Sequence, residues 1–137
     1  MIKEITEFIA NKAGLTRDTD LFAGHRPKDC VDACDVILET TGGTSFFDLP
    51  ERTDPVIQVL SRAATYFTAR TRAWLIYNAI FGNHPLGSAG WTLPIITPGE
   101  EYEAMTIEPL APPQYIGQDV KNRFEFSTNY IFRIKKL

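Results

Sequence analysis

The stretch RFEFSTNYIFRIK, residues 123–135, decides the fold. Phe124, Phe126, Thr128, Tyr130, Phe132 and Ile134 occupy the even positions. Arg123, Glu125, Ser127, Asn129, Arg133 and Lys135 occupy the odd ones, and only Ile131 breaks the alternation. Side chains of a strand point alternately to its two faces, so this pattern predicts a strand with an aromatic core face and a polar face. About a dozen residues is twice the usual strand length. The strand therefore either crosses a whole sheet or projects its end toward a partner.

Upstream, Pro109, Pro112 and Pro113 predict a stiff, extended link. Residues 101–108 read as a solvated acidic strand and residues 91–97 as a strand that Pro94 confines to an edge or bulge. Residues 83–90, NHPLGSAG, form a turn-rich loop. Residues 65–81 predict a helix capped by Thr65 and ended by Gly82. Its apolar face holds Tyr66, Ala69, Ala73, Tyr77 and Ile80, widened by Phe67, Trp74 and Phe81, so it reads as central and buried on most sides. Arg70 falls inside that apolar arc, as a snorkelling side chain or a contact charge. Residues 55–61, PVIQVLS, read as a strand covered on both faces, with Pro55 at its start. Residues 44–54, with Phe46 and Phe47, read as a loop, and Thr41-Gly42-Gly43-Thr44 as a chain break. Residues 30–40 predict a strand centred on Val36, Ile37 and Leu38, and residues 15–29 a short strand, Leu21-Phe22-Ala23, with a turn. Residues 2–13 place Ile2, Ile5, Phe8, Ile9 and Ala13 on one helical face, closed by Gly14. The sum is an α+β fold, one mainly antiparallel sheet with two helices packed against it.

A length of 137 residues suits a single domain, residues 1–137. Hydrophobic residues at 44% and charged residues at 23% exclude overall disorder. A net charge of −3 weighs against a generic nucleic-acid binder. The basic residues Lys121, Arg123, Arg133, Lys135 and Lys136 interleave with aromatics, but mostly on the opposite face, as a solvent face does against a core face. No apolar run approaches the ~20 residues of a membrane span, and Met1–Ala13 lacks a signal-peptide core, so a cytosol-like compartment is expected.

Catalytic and metal chemistry find little footing. His25 and His84 lie in turn contexts, and G-x-S-x-G, H-E-x-x-H and the P-loop pattern are absent. Cys30 and Cys34 match no zinc spacing. On a strand they would stand ~13 Å apart, beyond disulfide reach, so free thiols are expected. No catalytic residue, metal or cofactor is assigned.

Three stretches together carry a family resemblance. They are Leu21-Phe22-Ala23-Gly24 with Pro27 and a strand ending in Gly42-Gly43; Pro55-Val56-Ile57-Gln58-Val59-Leu60-Ser61-Arg62 feeding an aromatic helix; and Pro113-Gln114-Tyr115-Ile116-Gly117-Gln118-Asp119 before Arg123-Phe124-Glu125-Phe126-Ser127-Thr128-Asn129-Tyr130. Their order and spacing resemble the tail terminator (tail completion) and minor capsid proteins of long-tailed bacteriophages. Asn122 stands where the pattern often has glycine, at a turn that Asn also tolerates. The resemblance implies a non-enzymatic structural virion protein of α+β fold, at the neck or tail top of the particle after assembly in the host cytoplasm. It implies a homohexameric ring that caps the completed tail tube and joins the head connector or stopper. Its partners would be its own copies, the tube protein and the connector, with no membrane and with DNA at most passing through the lumen. Another neck or head-completion protein is the nearest alternative, and an unrelated small α+β binding module the next. A ring subunit needs two different surfaces for identical neighbours. The candidates are the contact loop with Phe46 and Phe47, Arg70, the acidic Glu100, Glu101 and Glu103 beside the proline link, and the basic tip Arg133, Lys135 and Lys136.

Overall fold

The computed structural model describes residues 1–46, 49–82 and 91–137. Helix α1 (Ile2–Ala13) buries Ile5, Phe8 and Ile9 and ends at Gly14, whose left-handed φ of 71° suits glycine. The strands are β1 (Leu21–Ala23), β2 (Cys34–Phe46), β3 (Leu49–Ala63), β4 (Trp91–Thr92), β5 (Tyr102–Pro109), β6 (Gln114–Gln118) and β7 (Phe124–Lys136). Helix α2 (Tyr66–Tyr77) follows β3 and opens into a wider π turn, Asn78–Gly82. The sheet order is β1-β2-β3-β7-β5-β4, with β6 paired to β7 ahead of β5. Only β1–β2 is parallel, so the α+β reading with a mainly antiparallel sheet holds.

The long strand β7 is the spine. It pairs with β3 on one side and with β6 and then β5 on the other. Its even residues Phe126, Thr128, Tyr130, Phe132 and Ile134 are buried, as the alternation predicts. With Leu21, Ile37, Ile57 and Val59 of the neighbouring strands, Tyr130, Phe132 and Ile134 meet Ile5 and Ile9 of α1 and Ile76 and Ile80 after β3, while Phe126 packs on Ala63, Ala69 and Ala73. Both helices thus cover one face of the sheet. On the opposite face Phe22, Cys34 and Val36 form a smaller cluster with Leu38, Leu60 and Cys30.

Several local readings change. The described residues of the expected loop over 44–54 are strand: residues 44–46 belong to β2 and residues 49–54 to β3, and the two strands pair there antiparallel. Gly42 and Gly43 do not break the chain, because the ladder shifts register between Glu39 and Thr41 and between Thr41 and Thr44, absorbing them as an irregularity. Pro55 lies inside β3 rather than at its start, at a position paired in neither ladder, so its missing N–H costs nothing. The link after Pro113 contains a strand, β6, and the strand expected over residues 91–97 shrinks to Trp91–Thr92. Helix α2 buries one face only: Ala69, Ala73 and Ile76 are covered, while Phe67 and Leu75 are exposed. No helix among the described residues is long and apolar enough to cross a membrane.

Candidate assembly surface

One end of the sheet gathers the start of β7, the end of β3, the β6–β7 turn and the first turn of α2. Thr65 caps α2 by accepting a hydrogen bond from the Thr68 N–H at 3.3 Å, which directs Tyr66 over the sheet end. The Tyr66 ring makes edge contacts with Tyr115 at 5.4 Å and Phe124 at 6.1 Å and lies 5.2 Å from Phe126. Phe67 stands edge-on to Tyr66 and is 76% exposed. Tyr115 of this cluster is 46% exposed, and further along β6 and its turn Ile116 (52%) and Val120 (98%) are exposed as well. Scattered exposed apolar residues are ordinary, but several around one aromatic cluster make this end a candidate contact surface.

Arg70, one turn further along α2, is exposed and lies over the Trp74 ring at 5.4 Å. Ala69 and Ala73 of the same arc are buried, but Arg70 falls on its outer side with the exposed Phe67, so the side chain has no need to snorkel. It forms no ion pair among the described residues and remains a cation on the outer face of α2.

The other sheet end holds the charged candidates. Register sets Glu103 opposite Lys135 and Tyr102 opposite Lys136, and the Leu137 N–H donates to the Glu101 carbonyl at 2.8 Å. The acidic segment and the basic tip are therefore adjacent strands of one chain, not two separated surfaces. Arg133 bridges Asp54 of β3 at 2.6 Å and Glu108 of β5 at 3.1 Å, committed within the subunit. Glu100 accepts a hydrogen bond from the Tyr102 hydroxyl at 3.2 Å. Phe46 ends β2 opposite Leu49, its side chain outside the described residues, and Phe47, the other residue of the expected contact loop, lies outside them altogether.

The aromatic end was missed as a site because its residues come from three separated segments, around Tyr66, Tyr115 and Phe124. The adjacent pair Tyr66-Phe67, which cannot bury both rings on one helical face, was the available signal.

Below this end three arginines strap the β1–β2 connection, residues 24–33, to the sheet. Arg26 reaches the Leu60 carbonyl at 3.1 Å and Glu125 at 3.5 Å. Arg62 donates to the carbonyls of Asp32 and Val31 at 3.1 and 2.9 Å, and Arg123 reaches Asp32 at 3.2 Å. Cys30 precedes β2 rather than lying in it, so the extended spacing does not apply: the Cys30 and Cys34 sulfurs are 3.5 Å apart, as free thiols. Burial pushes the Cys34 thiol up to about 11. On the helix face, Asp35 is fully buried and pairs with Arg72 of α2 at 2.6 Å; its burial raises its pKa and Arg72 opposes the rise. His25 is exposed and His84 lies outside the described residues. Among the described residues no three His, Cys, Asp or Glu side chains group as metal ligands would.

With known proteins, a family model described as "Bacteriophage tail terminator protein" matches residues 8–136. A chain from the solved virion of a native gene transfer agent particle is similar in fold, with a TM-score of 0.55 at 16% identity. The match covers 93% of this chain and 84% of that one. No curated protein matches the chain in sequence.

Proposed function

The chain belongs to the bacteriophage tail terminator protein family, a family of structural virion proteins rather than enzymes, and on that premise we propose that it caps the completed tail tube as a ring. Residues 1–137 act as one ring-building unit, homohexameric, at the neck of the particle. One ring face seats on the tube protein and the other receives the head connector or stopper, with DNA passing only through the lumen. The observation that carries this reading is the family match over residues 8–136. The exposed aromatic end supports it, since a ring subunit must reserve apolar surface for neighbours.

Particles made without this protein test the reading. The expected outcome is DNA-filled heads together with tails of irregular length, or tails that do not join heads. Normal joined particles would overturn it. Heads that lose their DNA while tails keep a uniform length would assign the protein to head completion instead.

A further inference from the structure

We infer that Cys30, Cys34 and Arg62 form a thiol-oxidation site that closes to an intramolecular disulfide on exposure to a low-molecular-weight disulfide, locking the β1–β2 connection onto the sheet. This inference is independent of the ring. The sulfurs are 3.5 Å apart, so closing to the ~2.0 Å of a disulfide needs a movement of about 1.5 Å. Cys34 begins β2, fully buried and held by the ladder to β3, where it lies opposite Arg62. Cys30 sits in the turn that its own N–H closes on the Pro27 carbonyl at 3.3 Å, and it is half-buried, within reach of a small reagent.

Arg62 supplies the chemistry that proximity alone lacks. Arg62 is 5% exposed and forms no ion pair among the described residues. One of its nitrogens contacts Cys30 Sγ at 3.1 Å and Cys34 Sγ at 3.3 Å. Burial raises the Cys34 thiol, and the positive charges of Arg26 and Arg62 beside it oppose that rise, toward the thiolate that carries out exchange. The more accessible Cys30 thiolate attacks one sulfur of the reagent, giving a mixed disulfide and expelling one reagent thiol. Cys34 gives up its proton and attacks the Cys30 sulfur, expelling the second. Two protein thiols are oxidised by two electrons, the reagent disulfide is reduced to two thiols, and the two cysteine protons end on those thiols. The disulfide ties the segment bearing Cys30 covalently to the sheet, where Arg26, Arg62 and Arg123 now hold it by polar contacts.

The test is equilibration of the folded, full-length protein with mixtures of reduced and oxidised glutathione at pH 8, read by intact mass and by thiol titration after acid quench and unfolding. Before oxidation two thiols titrate per chain. The expected product has lost two hydrogens, carries no glutathione and titrates no thiol. Cys34→Ser is expected to stop at the mixed disulfide, gaining one glutathione at Cys30. The ratio of intramolecular disulfide to dithiol is expected to be at least tenfold higher for the folded chain than for the chain in urea at the same glutathione poise. Wild-type protein that accumulates glutathione, cross-links between chains, stays reduced, or closes no better folded than unfolded would overturn the inference.

Discussion

Asp119 organises the β6–β7 turn with one carboxylate. It accepts hydrogen bonds from the backbone N–H groups of Lys121 and Arg123, each at 2.9 Å, and from Arg123 Nε at 2.7 Å. Burial pushes its pKa up, but these donors outweigh it and hold the carboxyl below its ordinary value. A carboxylate depressed on folding contributes stability above its unfolded pKa of ~3.9, and that contribution is lost as pH falls through the folded value. Asp119→Ala is expected to cost about 1–2 kcal/mol at pH 7, with the gap to wild type closing as thermal melts are taken below pH ~4. Three residues on, Asn122 has φ 61°, the left-handed conformation expected where the family pattern places glycine. Asn122→Gly should leave the melting temperature within a degree or two or raise it, and Asn122→Ala should lower stability by about 1 kcal/mol, because Ala lacks the local hydrogen bonding that helps Asn there. The turn was legible because its conformation is local. The closeness of Cys30 to Cys34 was not, because it depends on where β2 begins.

At the scale of elements, α2 is tied to the sheet by packing and by one buried ion pair. Arg72 donates to the fully buried Asp35 of β2 through Nε and Nη2, at 3.1 and 2.6 Å. Removing the cation alone strands a buried carboxylate, so Arg72→Met is expected to cost about 3–5 kcal/mol in denaturant unfolding. Asp35→Leu combined with Arg72→Met should recover most of that loss, since no buried charge is then left unpaired. In β7, Phe132 is fully enclosed by both helices and the sheet, and Phe132→Ala should cost about 3–5 kcal/mol by the same measurement. The opposite face is not bare solvent: Ser127 is buried and its hydroxyl accepts from Gln58 Nε2 at 2.9 Å. Ser127→Asp is thus expected to destabilise, because a larger, charged side chain would lose water at this buried position.

For the whole molecule, the different surfaces exposed at the two sheet ends set the expected mutant behaviour. Phe67 and Val120 are the most exposed apolar side chains of the aromatic end, so Phe67→Ser with Val120→Ser should leave thermal melting nearly unchanged. If that end meets a neighbouring copy, the double variant should vanish from purified particles; incorporation at wild-type level would remove the end as a contact. Lys135→Ala and Lys136→Ala, at the other sheet end where Lys135 lies opposite Glu103 and Lys136 opposite Tyr102, should leave incorporation unchanged. Several features were written in the chain by itself: the long β7 strand, helix α1, the α+β class and the Asn122 turn all follow from patterns within a dozen or so residues. The alternation of 123–135 needs no distant partner to be read, because period two fixes which side chains share a face. Tertiary structure alone decided the rest. Glycines and prolines in residues 41–55 look like breakers until two neighbouring strands supply a ladder with gaps at those positions. Phe67 looks buried until the sheet proves to cover only one side of its helix. Residues 101–103 and 135–136 look like separate charged surfaces until pairing lays them side by side. Periodicity is a property of a segment, whereas exposure, register and charge neutralisation belong to pairs of segments that meet only when the chain closes on itself.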